Sequence, residues 1–360
     1  MRPRLLALVT MLFVAGGVLQ APGAHAAVGA QLFAGGLAFP AAFTFAPDGR
    51  VFYGERFSGD IRILSADGST DDFFFTVPNL STNGEQGLLG LALHPDYPAT
   101  PSVYAYATRN ISGTLRNQIV RITDNAGAGE NMLVVFSSST VAGDYHDGGR
   151  IEFGPDGMLY AMVGEGHSQR NAQRLGNTAG KILRMTPSGN VPNNNPLGDR
   201  LIYSYGHRNS YGFDFDPVTG RLWEDENGPE CNDEINRIIP GRNYGWGRHE
   251  TCSHPPKSPR NTNQDGPNPV MPRRYYSSPI APTGLAFCDG CGLAGGDGRF
   301  FFGAWNTGDI RRMTLDGDRK NITKQTVVYG HNQGILSMET APDGALFFSD
   351  PNGIFELVAV

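Results

Sequence analysis

The sequence predicts an all-β fold, a six-bladed β-propeller with four-stranded antiparallel blades, on three observations. One turn motif recurs from end to end. Its copies lie about 50–70 residues apart, the length of a four-stranded blade plus loops. The composition suits many short strands: 48 glycines and 25 prolines would weaken helix interiors, whereas 10% aromatic residues and only 18% charged residues suit buried strands.

The motif is an apolar pair, Pro-Asp-Gly or a relative, then a short apolar strand. It appears as Phe45-Ala46-Pro47-Asp48-Gly49 before Val51-Phe52-Tyr53, and as Leu93-His94-Pro95-Asp96 before Val103-Tyr104-Ala105-Tyr106. The third copy is Phe153-Gly154-Pro155-Asp156-Gly157 before Leu159-Tyr160-Ala161-Met162. The fourth is Phe215-Asp216-Pro217, with Gly220 before Leu222-Trp223. The fifth is degenerate, Phe287-Cys288-Asp289-Gly290, with Phe300-Phe301-Phe302 downstream. The sixth is Thr340-Ala341-Pro342-Asp343-Gly344 before Leu346-Phe347-Phe348. In such a hairpin, Pro presets the turn, Asp bonds the local backbone and Gly takes the positive φ. The last strand, residues 354–360, is expected to pair with residues 30–37 and close the ring, which removes sheet edges. No domain boundary interrupts the chain after residue 26.

Residues 1–26 read as a signal peptide: Arg2 and Arg4, an apolar run from Leu5 to Val18, and Ala24-His25-Ala26 as the small-x-small site, with cleavage after Ala26. The run is too short to span a membrane. The expected location is therefore periplasmic or secreted. The formal net charge of −6 leaves no electrostatic footprint for nucleic acid or an anionic membrane. Of the three connectivities open to Cys231, Cys252, Cys288 and Cys291, the pairing Cys231–Cys252 with Cys288–Cys291 is favoured, the second as a turn staple.

Chemically equipped residues gather in loops beside the hairpins. Tyr145-His146-Asp147-Gly148-Gly149-Arg150 precedes the third hairpin, and His146 is a candidate general base. Glu165, in Gly164-Glu165-Gly166, follows after one strand out and one strand back, so it can stand beside His146 and orient its ring. Tyr205-Gly206-His207-Arg208-Asn209 offers donors for a carboxylate or a quinone oxygen. The stretch from Glu224 to Glu230, followed by Asp233-Glu234 and Gly241-Arg242-Asn243-Tyr244-Gly245-Trp246, mixes carboxylates with Gly and Pro carbonyls. These are hard oxygen ligands suited to Ca²⁺, and a solvated acidic loop is the alternative. Gly84-Glu85-Gln86-Gly87 leads into the second hairpin.

In this order the motifs resemble the soluble glucose/sorbosone dehydrogenases that use pyrroloquinoline quinone (PQQ), densest from Gly84 to Trp246. The resemblance implies an exported aldose dehydrogenase with PQQ and Ca²⁺, a sugar substrate and an external electron acceptor. It assigns His146 as catalytic base, Glu165 as its orienting acid, and Arg208 and Asn209 as PQQ contacts, with Arg208 also stabilising developing negative charge. It places Glu85 where relatives commonly carry Gln beside the cofactor. Gly228 and Pro229 correspond to carbonyl ligands of the PQQ-bound calcium, and Glu234 with the Tyr244 carbonyl to a second calcium. Proton removal by His146 would accompany hydride transfer to the quinone. The pattern departs toward the C-terminus. Gly303-Ala304-Trp305-Asn306 lacks the Lys that relatives often carry after Gly-Ala, and Gly334-Ile335-Leu336-Ser337 stands where they have Arg-x-Arg. Arg311, Arg312 and Arg273 are the candidate replacements. Two other readings stand beside this one: a non-catalytic, calcium-binding propeller that binds sugar or protein, and a Ca²⁺-dependent lactone hydrolase.

Overall fold

The computed structural model describes residues 27–249, 252 and 264–360, and the expected signal segment lies outside them. Six four-stranded antiparallel sheets form the blades. Blade 1 is β2 (Pro40–Phe45), β3 (Val51–Glu55), β4 (Asp60–Leu64) and β5 (Asp71–Thr76). Blade 2 is β6 (Leu88–Leu93), β7 (Ser102–Ile111), β8 (Thr114–Asn125) and β9 (Ala128–Ser137). Blade 3 is β10 (Gly148–Phe153), β11 (Leu159–Val163), β12 (Lys181–Met185) and β13 (Ile202–Tyr205). Blade 4 is β14 (Gly212–Phe215), β15 (Leu222–Glu226), β16 (Asp233–Arg237) and β17 (Arg274–Tyr276). Blade 5 is β18 (Pro282–Phe287), β19 (Phe300–Ala304), β20 (Asp309–Leu315) and β21 (Ile322–Gly330). Blade 6 is β22 (Ser337–Thr340), β23 (Leu346–Asp350), β24 (Gly353–Ala359) and, as its outer strand, β1 (Val28–Gly35).

The ring closes as the sequence predicts. β1 pairs antiparallel with β24, from Val28 opposite Ala359 to Gly35 opposite Gly353. The first strands of the blades, β2, β6, β10, β14, β18 and β22, each touch the next around the axis, and β22 returns to β2. Each recurring turn joins the first strand of its blade to the second. Three copies share one geometry. Gly49, Gly157 and Gly344 have φ of 86°, 72° and 91°. Asp48, Asp156 and Asp343 each accept the backbone N–H two residues on, at 3.1 Å.

The apolar core is divided among the blade interfaces, because a strand in a blade is covered on both faces. Its sequence then reads as a continuous apolar run rather than an alternating one. Phe300 and Phe302 pack with Trp223 and Ile235 between blades 4 and 5, while Phe301 packs with Met338 and Phe348 between blades 5 and 6. Likewise Tyr104 and Tyr106 face blade 3, whereas Val103 and Ala105 face blade 1. Across the axis the Arg150 guanidinium of blade 3 pairs with Glu339 of blade 6. Both expected disulfides are formed, Cys231–Cys252 and Cys288–Cys291.

Candidate active site

In every blade the chain enters the first strand, and leaves the second, at the end opposite the recurring turn. Twelve such crossings in a six-fold ring converge on one end of the axis. His146 and Gly148 lead into β10, Glu85 into β6, and Arg208, Asn209 and Tyr211 into β14. Glu165 follows β11, Asn227 follows β15, Arg56 follows β3 and Trp305 follows β19. Residues far apart in sequence are thereby set side by side.

His146 Nδ1 lies 2.5 Å from Glu165 Oε1. Both side chains are buried, and Nε2 has no hydrogen-bond partner among the described residues. The His146 backbone is left-handed, with φ of 63°. That conformation is uncommon for a residue with a Cβ and costs on the order of 1 kcal/mol. Neighbouring loops hold it: the His146 N–H donates to Glu85 Oε2 at 2.8 Å, and the Gly166 N–H donates to the His146 carbonyl at 3.0 Å. At Gly148 (φ 70°) a Cβ would lie 2.5 Å from the Met162 carbonyl, so only glycine lets the chain turn this tightly into β10.

Asn209 ties three loops together. Its Oδ1 accepts the Gly148 N–H at 3.0 Å, and its Nδ2 donates to Glu85 Oε2 and to the Tyr211 hydroxyl, each at 3.0 Å. Arg208 donates its backbone N–H to Glu226 Oε1 and Nη1 to the Asn227 carbonyl, and its guanidinium lies 5.5 Å from the Trp246 ring centroid. Burial lowers its pKa, against the opposing pull of Glu165 and Glu85. Several buried atoms here have no partner: Glu165 Oε2, Asp147 Oδ2, Arg208 Nε and Asn227 Oδ1.

Of these groups, Glu85, Tyr211 and Asn227 line a cavity of about 260 Å³, and His146, Arg208 and Asn209 are hydrogen-bonded to those lining residues. Glu85, Gly84, Leu89, Tyr211 and Asn227 line one side, and Phe39, Ala41, Ala281, Thr283, Trp305 and Leu336 line the other, with Arg56 between them. Arg56 Nε donates to the Gln86 carbonyl at 3.1 Å, Nη2 donates to the Gly84 carbonyl, and the guanidinium lies 5.3 Å from the Phe39 ring and 4.8 Å from the Phe57 ring.

The cations expected to replace the missing Lys and Arg-x-Arg are elsewhere. Arg311 pairs with Asp309 at 2.8 Å beside the Tyr276 ring, Arg312 donates to the Ala294 carbonyl, and Arg273 donates to Asn321. All three leave from the third strand or outer loops of their blades, which project away from the axis. Arg56 was missed. It follows β3 as Glu165 follows β11, and that shared position in the repeat was the available signal.

The expected calcium ligands fall in two places. Gly228 and Pro229 lie in the loop between β15 and β16, where the Gly228 N–H donates to Asp233 Oδ1 at 2.8 Å. Neither carbonyl accepts a backbone hydrogen bond among the described residues. Glu234 pairs across from Glu226 and accepts Asn236 Nδ2 at 3.2 Å. Tyr244 stacks on His207 at 4.7 Å, and its hydroxyl bridges Ile239 N and Arg237 O. His207 is fully buried, with Nδ1 2.9 Å from Glu226 and 3.3 Å from Glu224. Burial alone would lower its pKa, but the two carboxylates outweigh burial and raise it to about 10. An imidazolium between two carboxylates thus buttresses Glu226, which carries the Arg208 backbone.

The fold and the site together define a six-bladed propeller with a carboxylate-held imidazole among the loops at one end of its axis. The family profile for glucose/sorbosone dehydrogenase matches residues 37–356, and the chain belongs to that family, as an oxidoreductase acting on sugar. It is 27% identical over 368 residues to the aldose sugar dehydrogenase YliI of Escherichia coli, covering 98% of this chain and 97% of that protein. It is 32% identical over 242 residues to quinoprotein glucose dehydrogenase B of Acinetobacter calcoaceticus, covering 58% and 50%. The structure of the PQQ-bound aldose sugar dehydrogenase of Streptomyces coelicolor superimposes with a TM-score of 0.80 at 30% identity, covering 94% and 99%. The family assignment sets aside the lactone hydrolase and the non-catalytic binder.

Proposed function

We propose that the protein is an exported, PQQ- and Ca²⁺-dependent dehydrogenase of aldoses or related alcohols, with an external electron acceptor. The observation that carries this reading is the His146–Glu165 pair with Nε2 uncommitted, in a loop joined to the cavity wall by the bond from the His146 N–H to the lining residue Glu85. Similarity to proteins named quinoprotein and PQQ-bound dehydrogenase supports the choice of cofactor. The two disulfides favour an oxidising compartment, and no helix among the described residues is long and apolar enough to cross a membrane.

The residues present fit the two groups. A flat tri-acid needs donors and an apolar wall; Arg56 and the aromatic side of the cavity supply them, with Arg208, its Nε unpartnered, behind the lining residue Asn227. A hard divalent cation needs oxygen ligands, and the carbonyls of Gly228 and Pro229, beside the buried, unpartnered Oδ1 of Asn227, are of that kind. Glu234 and the Tyr244 carbonyl are the proposed donors of a second cation. When bound, PQQ supplies the two-electron acceptor and Ca²⁺ a Lewis acid on its carbonyl.

The chain's own groups do the rest. Glu165 accepts the Nδ1 proton of His146, which fixes the tautomer with a lone pair on Nε2. Nε2 takes the proton of the substrate hydroxyl, and the resulting imidazolium is stabilised by the buried carboxylate. Arg208, charged and desolvated, favours negative charge developing in the cavity. Asn209 and Glu85 keep the His146 and Arg208 loops in register.

The test is reconstitution of purified protein with PQQ, Ca²⁺ and an aldose, followed by reduction of an artificial acceptor. Turnover is expected, and His146→Ala should lower kcat by about 10²–10⁴-fold while PQQ still binds. Absence of both turnover and PQQ uptake in the wild type would refute the reading.

A further inference from the structure

The more apolar side of the cavity, formed by Phe39, Ala41, Ala281, Leu336 and Trp305 with Thr283, is built around Trp305. Its indole lies against Gly334: a Cβ at residue 334 would stand 2.4 Å from Trp305 Cε3. The ring therefore occupies the space a side chain at residue 334 would need, and glycine there and tryptophan at 305 are a matched pair. Phe39 meets the indole at 6.2 Å, tilted by 48°, and Phe39 in turn lies under the Arg56 guanidinium. Trp305 remains 40% exposed although it is a large aromatic residue, and it lines the cavity. Arg56 commits Nε and Nη2 to carbonyls, while Nη1 makes no hydrogen bond to protein among the described residues. An indole face, with a guanidinium edge beside it across Phe39, forms a receptor for an aromatic ring that carries a carboxylate.

Resting on the reading above, we infer that Trp305 and Arg56 are binding residues for the acid-bearing end of the cofactor. The ring packs on Trp305, and one carboxylate takes the free edge of Arg56. Affinity on this side then comes from stacking and a single charged contact. Gly334 is a positioning residue, since it acts only by seating the indole.

The test is calorimetric titration of the Ca²⁺-loaded protein with PQQ and with its trimethyl ester, with tryptophan fluorescence as a second readout. Trp223 and Trp246 are buried, so quenching of an exposed indole reports Trp305. Arg56→Gln is expected to weaken PQQ binding about tenfold or more and to leave ester binding within twofold of wild type. Trp305→Ala should weaken both ligands about tenfold and abolish the quenching. Because Arg56 also holds two carbonyls, Gly334→Ala supplies a variant that leaves the charge in place; displacing the indole, it should weaken both ligands by about three- to tenfold. If the wild type binds PQQ and all three variants stay within twofold of it, the inference is overturned and the proposed cofactor stands. If the wild type takes up no PQQ, the cofactor assignment and the inference fall together.

Discussion

The two sides of the axial cavity are built on different physical terms. On the side of blades 2–4, position is fixed by hydrogen bonds between loops: Glu85 to His146 and Asn209, Asn209 to Gly148, and Glu165 to His146. On the side of blades 5, 6 and 1, packing carries more of the positioning, with Trp305 on Gly334 and Phe39 beneath Arg56, beside bonds such as that from Thr283 to the Ile335 carbonyl. The first side can hold a proton in place and the second can hold a surface. The difference predicts that damage to the hydrogen-bonded side will appear in kcat, and damage to the packed side in binding.

The largest effect that would sharpen this contrast, after loss of His146 itself, is expected from Glu165→Ala. The variant removes the acceptor of the Nδ1 proton, so His146 can adopt the wrong tautomer or rotate. We expect kcat to fall by about 10²-fold with KM changed less than threefold. Glu165→Gln keeps the shape and should recover part of the rate. A KM effect larger than the kcat effect would break the comparison, since it would mean that the hydrogen-bonded side mainly binds.

Next in size is the joint between the two sides. Asp233 accepts the Gly228 N–H with Oδ1, and those of Ile280 and Ala281 with Oδ2 at 2.6 and 2.8 Å. One carboxylate therefore anchors both the proposed cation loop and the loop that supplies Ala281 and Thr283 to the opposite wall. Asp233→Ala strands three N–H groups and should cost about 3 kcal/mol, lowering Tm by several degrees. Binding of Ca²⁺ and of PQQ should fall together in this variant. A change in only one would show that the two loops are held independently.

The contrast also explains what was legible in the sequence. The blade count, the ring closure and the loops carrying His146, Glu165, Arg208 and Asn209 could be read because each rests on a local pattern, Pro-Asp-Gly or glycine-flanked polar runs. The packed side rests on single residues whose partners are remote. Trp305 and Gly334 are 29 positions apart in different blades, and nothing local marks them as a pair. Arg56 follows an ordinary strand, and its role comes only from the position after the second strand that it shares with Glu165. The cations named from sequence, Arg273, Arg311 and Arg312, failed for the same reason: charge is visible in a sequence, but its direction relative to the axis is not.

The effect expected to reach activity least concerns protons rather than contacts, and it is traced to one group, Asp147. Asp147 is buried beneath the site, with Oδ1 accepting Asn117 Nδ2 at 2.9 Å and Oδ2 without a partner. Burial raises its pKa from 3.8 to about 7; the Asn117 bond opposes the shift and the charges of Glu85 and Asp144 add to it. Between those two values the folded chain holds a proton that the unfolded chain has released. Stability from this group is therefore greatest below about pH 4, declines as pH rises toward 7, and is level beyond it. The slope is bounded at about 1.4 kcal/mol per pH unit. Asp147→Asn is neutral at every pH and should flatten that part of the curve, so that variant and wild type differ more at pH 8 than at pH 5 in urea denaturation. Trp305→Ala removes no ionisable group and should shift the whole curve without changing its slope. Equal slopes for Asp147→Asn and wild type would show that the carboxylate is ionised in the folded chain and that the hydrogen-bonded side holds one more charge than its burial allows.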